Sequence, residues 1–230
     1  MYEKASVVSD TSLASEPYDS DIALKQNVPP MSTLNMFYTT SRLNATIHSG
    51  SDSSTPQYYL ESTTFSLKPS LYLREGDSKK SPMVAFAQTN WGLRNMTIGL
   101  GDYETNAPAD LTSERLLRDK NILRRSDYHV TIWVAAESGG QQPKTLTWRK
   151  DKSALGRTVY VCLDQDGIVQ GRLRSGGMLN WKKAAEIDVS DNLSQDEKRL
   201  FLVSAGGVWA LEGLNYRSIG RGYEKNNSSA

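Results

Sequence analysis

The chain has 230 residues, of which 38% are hydrophobic and 23% charged, and a formal net charge of +1. That size suits one large domain or two small ones, and so balanced a charge excludes a global field drawing the chain to nucleic acid. The single cysteine, Cys162, excludes an intramolecular disulfide framework and fits a reducing compartment. No apolar run approaches the ~20 residues of a membrane-spanning helix, and the N-terminus lacks the apolar core of a signal peptide. A cytoplasmic protein, peripheral at membranes if it meets them, is expected.

Met1 to Pro30 is rich in Ser, Asp and Pro, carries two lysines against five acids, and has no sustained period. Such a stretch buries too little surface to offset its ordering entropy, so residues 1–30 are expected to be a disordered tail. Pro29-Pro30 marks its boundary.

Beyond Met31, short apolar runs alternate with turn signals. The expected strands are Leu34–Tyr38, Asn44–His48, Gln57–Glu61, Ser70–Arg74, Met83–Gln88, Met96–Leu100, Tyr128–Ala135, Thr145–Arg149, Thr158–Leu163, Ile168–Arg174 and Ala184–Val189. Many short strands at this spacing imply a sandwich or barrel. The clearest hairpin is TVYVCLD-QDG-IVQGRLR, where Asp166-Gly167 supplies the positive φ of a tight turn. One long connection, Asp102 to Asp127, breaks the rhythm. Its middle, TSERLLRDKNILRR, reads as a short helix capped by Thr112 or Ser113, with Leu116, Leu117 and Leu123 as a weak stripe; a lid or side loop is the alternative.

Gln195–Tyr216 reads as a helix. Ser194 is its N-cap and Glu197 completes a capping box. From Leu200 to Leu211 it is apolar on every side apart from Ser204, Gly206 and Gly207. A helix hydrophobic all round is buried, and the glycine pair, costly in a helix, implies neighbours at close approach. Trp209 is the expected buried anchor. The last residues, 223–230, are expected to fray.

Hairpin strands followed by one late, buried helix resemble the Tubby C-terminal-like superfamily, which includes phospholipid scramblases and LURP-one-related proteins. The resemblance rests on LTWRK at Leu146–Lys150, VCLDQDGIVQGRL at Val161–Leu173, NWKKAAEIDV at Asn180–Val189 and KRLFLVSAGGVWALEG at Lys198–Gly213. PMVAFAQ at Pro82–Gln88 and IGLGD at Ile98–Asp102 add to it, and uncharacterised fungal members look most similar. The likeness covers roughly residues 31 to 217 and implies a mainly β fold: a closed antiparallel barrel of about twelve strands around a C-terminal hydrophobic helix, spanning residues 31–222. A Tubby-type phosphoinositide pocket is not matched residue by residue.

Catalytic chemistry finds little support. His48 and His129 lie in no metal-ligand spacing. Cys162 falls inside a strand, where a thiol is ordinarily buried and inert; a Cys162–His129 nucleophilic pair is the alternative. Asp164-x-Asp166-Gly167 has its glycine too early for a calcium loop and reads as a hairpin turn. Gly99-x-Gly101 lacks the rest of a dinucleotide fingerprint. The sequence therefore points to a non-enzymatic protein without cofactor or metal.

Charge is unevenly placed. Lys144 to Lys183 holds nine Lys and Arg against three Asp, a net of +6. Arg172 and Arg174 lie two apart on one strand and so share a face. Arg149, Lys150 and Lys182-Lys183 join them if their strands are neighbours, Arg124-Arg125 adding from the long connection, to form a candidate site for anionic phospholipid headgroups. Trp148 and Trp181 flank these charges, and Trp serves at membrane interfaces as well as in cores. The reading is an intracellular binding or adaptor module engaging anionic phospholipid. The alternatives are a protein-interaction or structural domain with no lipid ligand, and an enzyme or lipid-translocating protein.

Overall fold

The computed structural model describes residues 28–40, 44–50, 55–63, 70–90, 95–103, 113–118, 127–135, 140–151, 158–176 and 182–227. The expected tail over residues 1–27, Leu123, Arg124-Arg125 and Trp181 lie outside them.

Twelve antiparallel strands close into a barrel: β1 (Met31–Tyr38), β2 (Ala45–Ser49), β3 (Tyr58–Ser62), β4 (Ser70–Glu75), β5 (Met83–Asn90), β6 (Asn95–Leu100), β7 (Ser113–Arg118), β8 (Tyr128–Ala135), β9 (Gln141–Asp151), β10 (Val159–Leu163), β11 (Val169–Ser175) and β12 (Lys183–Ser190). Each strand pairs with its sequence neighbours, and β1 closes the ring on β12. Closure leaves no free sheet edge at either end of the order. The eleven expected strands are all present. The β10–β11 turn forms as read, with Gly167 at φ 78°.

The twelfth strand corrects the expected helix or side loop over Ser113–Arg118; the remainder of that stretch, 112 and 119–125, lies outside the described residues. Ser113–Arg118 pairs with β6 from Met96↔Leu116 to Gly99↔Ser113. Arg115 and Leu117 are exposed while Leu116 between them is buried, the period of two of a strand. Its residues are good helix formers, but β6 and β8 leave a gap in the ring that only a strand fills, and tertiary pairing overrides propensity.

Among the described residues one helix, α1 (Gln195–Asn227), enters the lumen over residues 200–211 and runs well past its expected end at Tyr216. The capping box forms: the Ser194 amide donates to Glu197 Oε2 at 2.9 Å and the Glu197 amide to Ser194 Oγ at 3.3 Å. Every residue from Leu200 to Val208 is buried. The inward faces of the strands supply the rest of the core, among them Met36, Ile47, Leu60, Leu73, Ile98, Leu116, Val130 and Trp148. Ser204 has a defined task there. Its Oγ accepts the Trp148 indole N–H at 3.0 Å and donates to the Phe201 carbonyl at 2.8 Å, so the buried indole is satisfied. Trp209 is not the buried anchor: it is only partly buried, against Tyr38 with ring centroids 5.9 Å apart. That place belongs to Phe201, which is fully buried, with its ring centroid 4.9 Å from that of Trp148.

The glycine pair marks close approach, as its cost in helix propensity implied. A Cβ on Gly206 would lie 3.3 Å from Leu60 Cδ2, and one on Gly207 3.0 Å from Met96 Sδ. Gly206→Leu is therefore expected to lower stability by about 1–3 kcal/mol through overpacking. Gly206→Ala is expected to be near neutral, since a methyl presses only on a movable leucine tip and gains about 1 kcal/mol of propensity. Urea midpoints of both variants decide this; an unharmed Gly206→Leu would contradict the enclosed helix.

Candidate functional site

Register assigns each candidate residue to a face, because directly opposed residues in an antiparallel pair point the same way. One row across the wall is Arg149, Val161, Arg172, Asp188 and Thr33, on β9, β10, β11, β12 and β1. The next is Asp151, Val159, Arg174, Glu186 and Asn35. Arg172 and Arg174 thus share the outer face of β11, as their spacing suggested, and Arg149 lies on the same face of β9, with β10 between. Lys150 does not join them. It opposes Tyr160, which opposes Leu173, which opposes Ile187, and all three of these are core residues. Lys150 belongs to the inward-facing row, at the end of β9, because one step along a strand reverses the face.

Acids meet the arginines. Arg174 bonds to Glu186 and, at 2.7 Å, to Asp188. Lys183 reaches Glu186 at 2.6 Å. Arg149 lies 3.4 Å from Asp127, whose side chain is almost wholly buried. Lys183 hydrogen bonding, with Arg174 beside it, holds the Glu186 carboxyl below its usual range against partial burial. Burial works against the charge of Arg174, but Asp188 and Glu186 more than offset it and raise its pKa. Among the described residues Arg172 is the one arginine of the three that makes no ion pair. The +6 segment therefore folds onto a wall of mixed sign. Asp127, Glu186 and Asp188 were absent from the charge count because they stand outside Lys144–Lys183. Glu186 and Asp188, two apart like Arg172 and Arg174, carried the same period-two signal of a shared face.

No protein-family model and no curated protein matches the chain.

The other candidates resolve by the same register argument. Trp148 is core, not interfacial. Cys162 opposes Trp148 on the inward face, and burial pushes its thiol well above the ordinary range. His129 sits one step from Tyr128, which shares the face of Trp148, so it points outward, with Nδ1 3.1 Å from Thr147 Oγ1. The Cys162–His129 pair is therefore split across the barrel wall. Asp164 uses its carboxylate within its own turn. It accepts from the amides of Asp166 and Ile168 and from the Gln170 side chain, at 2.8–3.0 Å. No helix among the described residues is long and apolar enough to cross a membrane.

Proposed function

We propose that the barrel is a non-enzymatic binding module that meets its ligands on its outer wall. The observation carrying this reading is the filled lumen: α1 occupies the space where a barrel of this kind would otherwise hold a small molecule. The chain-order resemblance to the Tubby C-terminal-like superfamily agrees with it. The ligand we infer is an anionic phospholipid headgroup, engaged at Arg172 with support from Arg149 and Arg174. A guanidinium fork suits a phosphate. With one arginine of these three free of ion pairs among the described residues, and about 1 kcal/mol per basic residue near a charged surface, the contact is weak and salt-sensitive.

Cosedimentation with phosphatidylserine or phosphoinositide liposomes tests this at low and physiological salt. Wild type is expected to sediment at low salt and to be released as salt rises, and Arg172→Glu to stay in the supernatant. Arg172 is the right position because charge reversal there breaks no ion pair among the described residues, whereas Arg174→Glu would also disrupt the contacts to Glu186 and Asp188. Wild type that ignores anionic liposomes at low salt ends the lipid reading. The pairing of Arg149, Arg174 and Lys183 with acids favours a second reading, a protein-interaction domain whose wall of mixed charge recognises a polypeptide.

A further inference from the structure

Arg172 and Asp188 stand directly opposite each other across the β11–β12 ladder. Opposed side chains on one face are the closest cross-strand neighbours, and opposite charges so placed attract. Yet Asp188 is taken by Arg174, which reaches it on the diagonal. Arg174 Nη1 lies 2.7 Å from Asp188 Oδ2, and Arg174 Nη2 donates to Asp188 Oδ1 at 2.8 Å. The Thr33 hydroxyl donates to the same Oδ1 at 2.9 Å. One planar guanidinium thus spans both carboxylate oxygens, the arrangement in which an arginine holds a carboxylate most firmly. Glu186, opposite Arg174, accepts from Arg174 Nε at 2.8 Å and from Lys183 Nζ at 2.6 Å.

Arg172 is left over by this exchange. Among the described residues no acid pairs with it. Opposite it on β10 stands Val161, whose side chain is buried and offers no polar group. Asp188 is 7% exposed, and a carboxylate buried to that degree is costly without a cation beside it. The residue placed to serve it when Arg174 is withdrawn is Arg172, directly opposite. Asp188 therefore has two arginines on its face of the sheet and engages one, and the half-buried Arg172 keeps its donors.

We propose that Arg174 is a positioning residue for the headgroup site: by occupying Asp188 it keeps the Arg172 guanidinium available to a phosphate, without touching the ligand itself. The proposal rests on the headgroup reading above. Asp188 is then a competitor of the ligand built into the wall. Loss of Arg174 turns Asp188 onto Arg172 and closes the site, an effect beyond the removal of one positive charge.

The first measurement needs no lipid. Phenylglyoxal, which condenses with accessible guanidinium groups, is applied to the full-length protein, and the modified arginines are mapped by mass spectrometry. In wild type Arg172 should react several-fold faster than Arg174. It should slow in Arg174→Gln and recover in Arg174→Gln/Asp188→Asn. The second measurement is cosedimentation with phosphatidylserine liposomes at low salt. Arg174→Gln should raise the half-saturating lipid concentration about fivefold, the share of one basic contact near a charged surface, and adding Asp188→Asn should restore it. Arg174→Gln/Glu186→Gln carries the same net charge as the restored variant but leaves Asp188 on Arg172, so it should not recover. Urea midpoints establish that each variant is folded. Equal recovery in the two double variants would overturn the proposal. So would an Arg172 no more reactive than Arg174 in wild type, a result that decides even where Arg174→Gln does not fold and that leaves the headgroup reading standing if liposomes still bind. A wild type with the expected phenylglyoxal pattern that ignores liposomes ends the headgroup reading instead, so the two failures are told apart.

Discussion

Phe201→Ala is expected to lower stability by about 3–5 kcal/mol, as a large truncation in a sealed core. The ring is fully buried against Trp148. The cavity opens inside a closed ring of strands, whose packed surroundings collapse little. Urea midpoints measure the loss. Trp209→Ala is the internal comparison: Trp209 is only partly buried, at the Tyr38 side of the barrel, and should cost less. Equal losses would mean that the helix is anchored along its whole length and not around Phe201.

Gly171→Ala is expected to cost about 3 kcal/mol, the upper end of overpacking, although it adds a single methyl group. A Cβ there would clash with the Asp188 carbonyl oxygen and the Phe201 ring. The carbonyl belongs to the neighbouring strand, where Gly171 opposes Val189, so it cannot retreat without loosening the β11–β12 ladder. Phe201 is the partner that can yield. Combining Gly171→Ala with Phe201→Leu should therefore cost less than the sum of the single changes, since neighbours that share one space are not additive. A double-mutant cycle on urea midpoints reads the coupling. Strict additivity would show that the clash is with the carbonyl alone.

These two residues also mark how far the sequence could be read. The apolar band Leu200–Leu211, its capping box and its glycine pair made the enclosed helix legible, because each rests on spacing within one segment. Gly171 left no such trace: a glycine inside a strand signals close approach but not what approaches, and Phe201 lies thirty residues away. The choice between Phe201 and Trp209 as anchor depends on where the helix leaves the barrel, which the periodicity of a helix apolar all round does not encode. β7 was misread because Glu114, Arg115, Leu116 and Leu117 prefer helix, and the need for a strand comes from β6 and β8. At the candidate site, the shared face of Arg172 and Arg174 followed from the period of two. The inward row of Lys150 followed only from its register with Tyr160, and neutralisation by Asp127, Glu186 and Asp188 only from strand order.

The element at the centre of the barrel is the last of the barrel's elements to be synthesised. β1 pairs with β12, and α1 follows β12, so neither ring closure nor core filling can occur until both of these later elements have left the ribosome. Contacts between such distant parts of the sequence make for slow folding. Until Phe201 and Val208 arrive, the inward faces of eleven or more strands remain an unfilled apolar surface, which is the condition under which strands pair with the wrong chain. Truncation before Leu200 would remove the centre of the core and leave the whole wall.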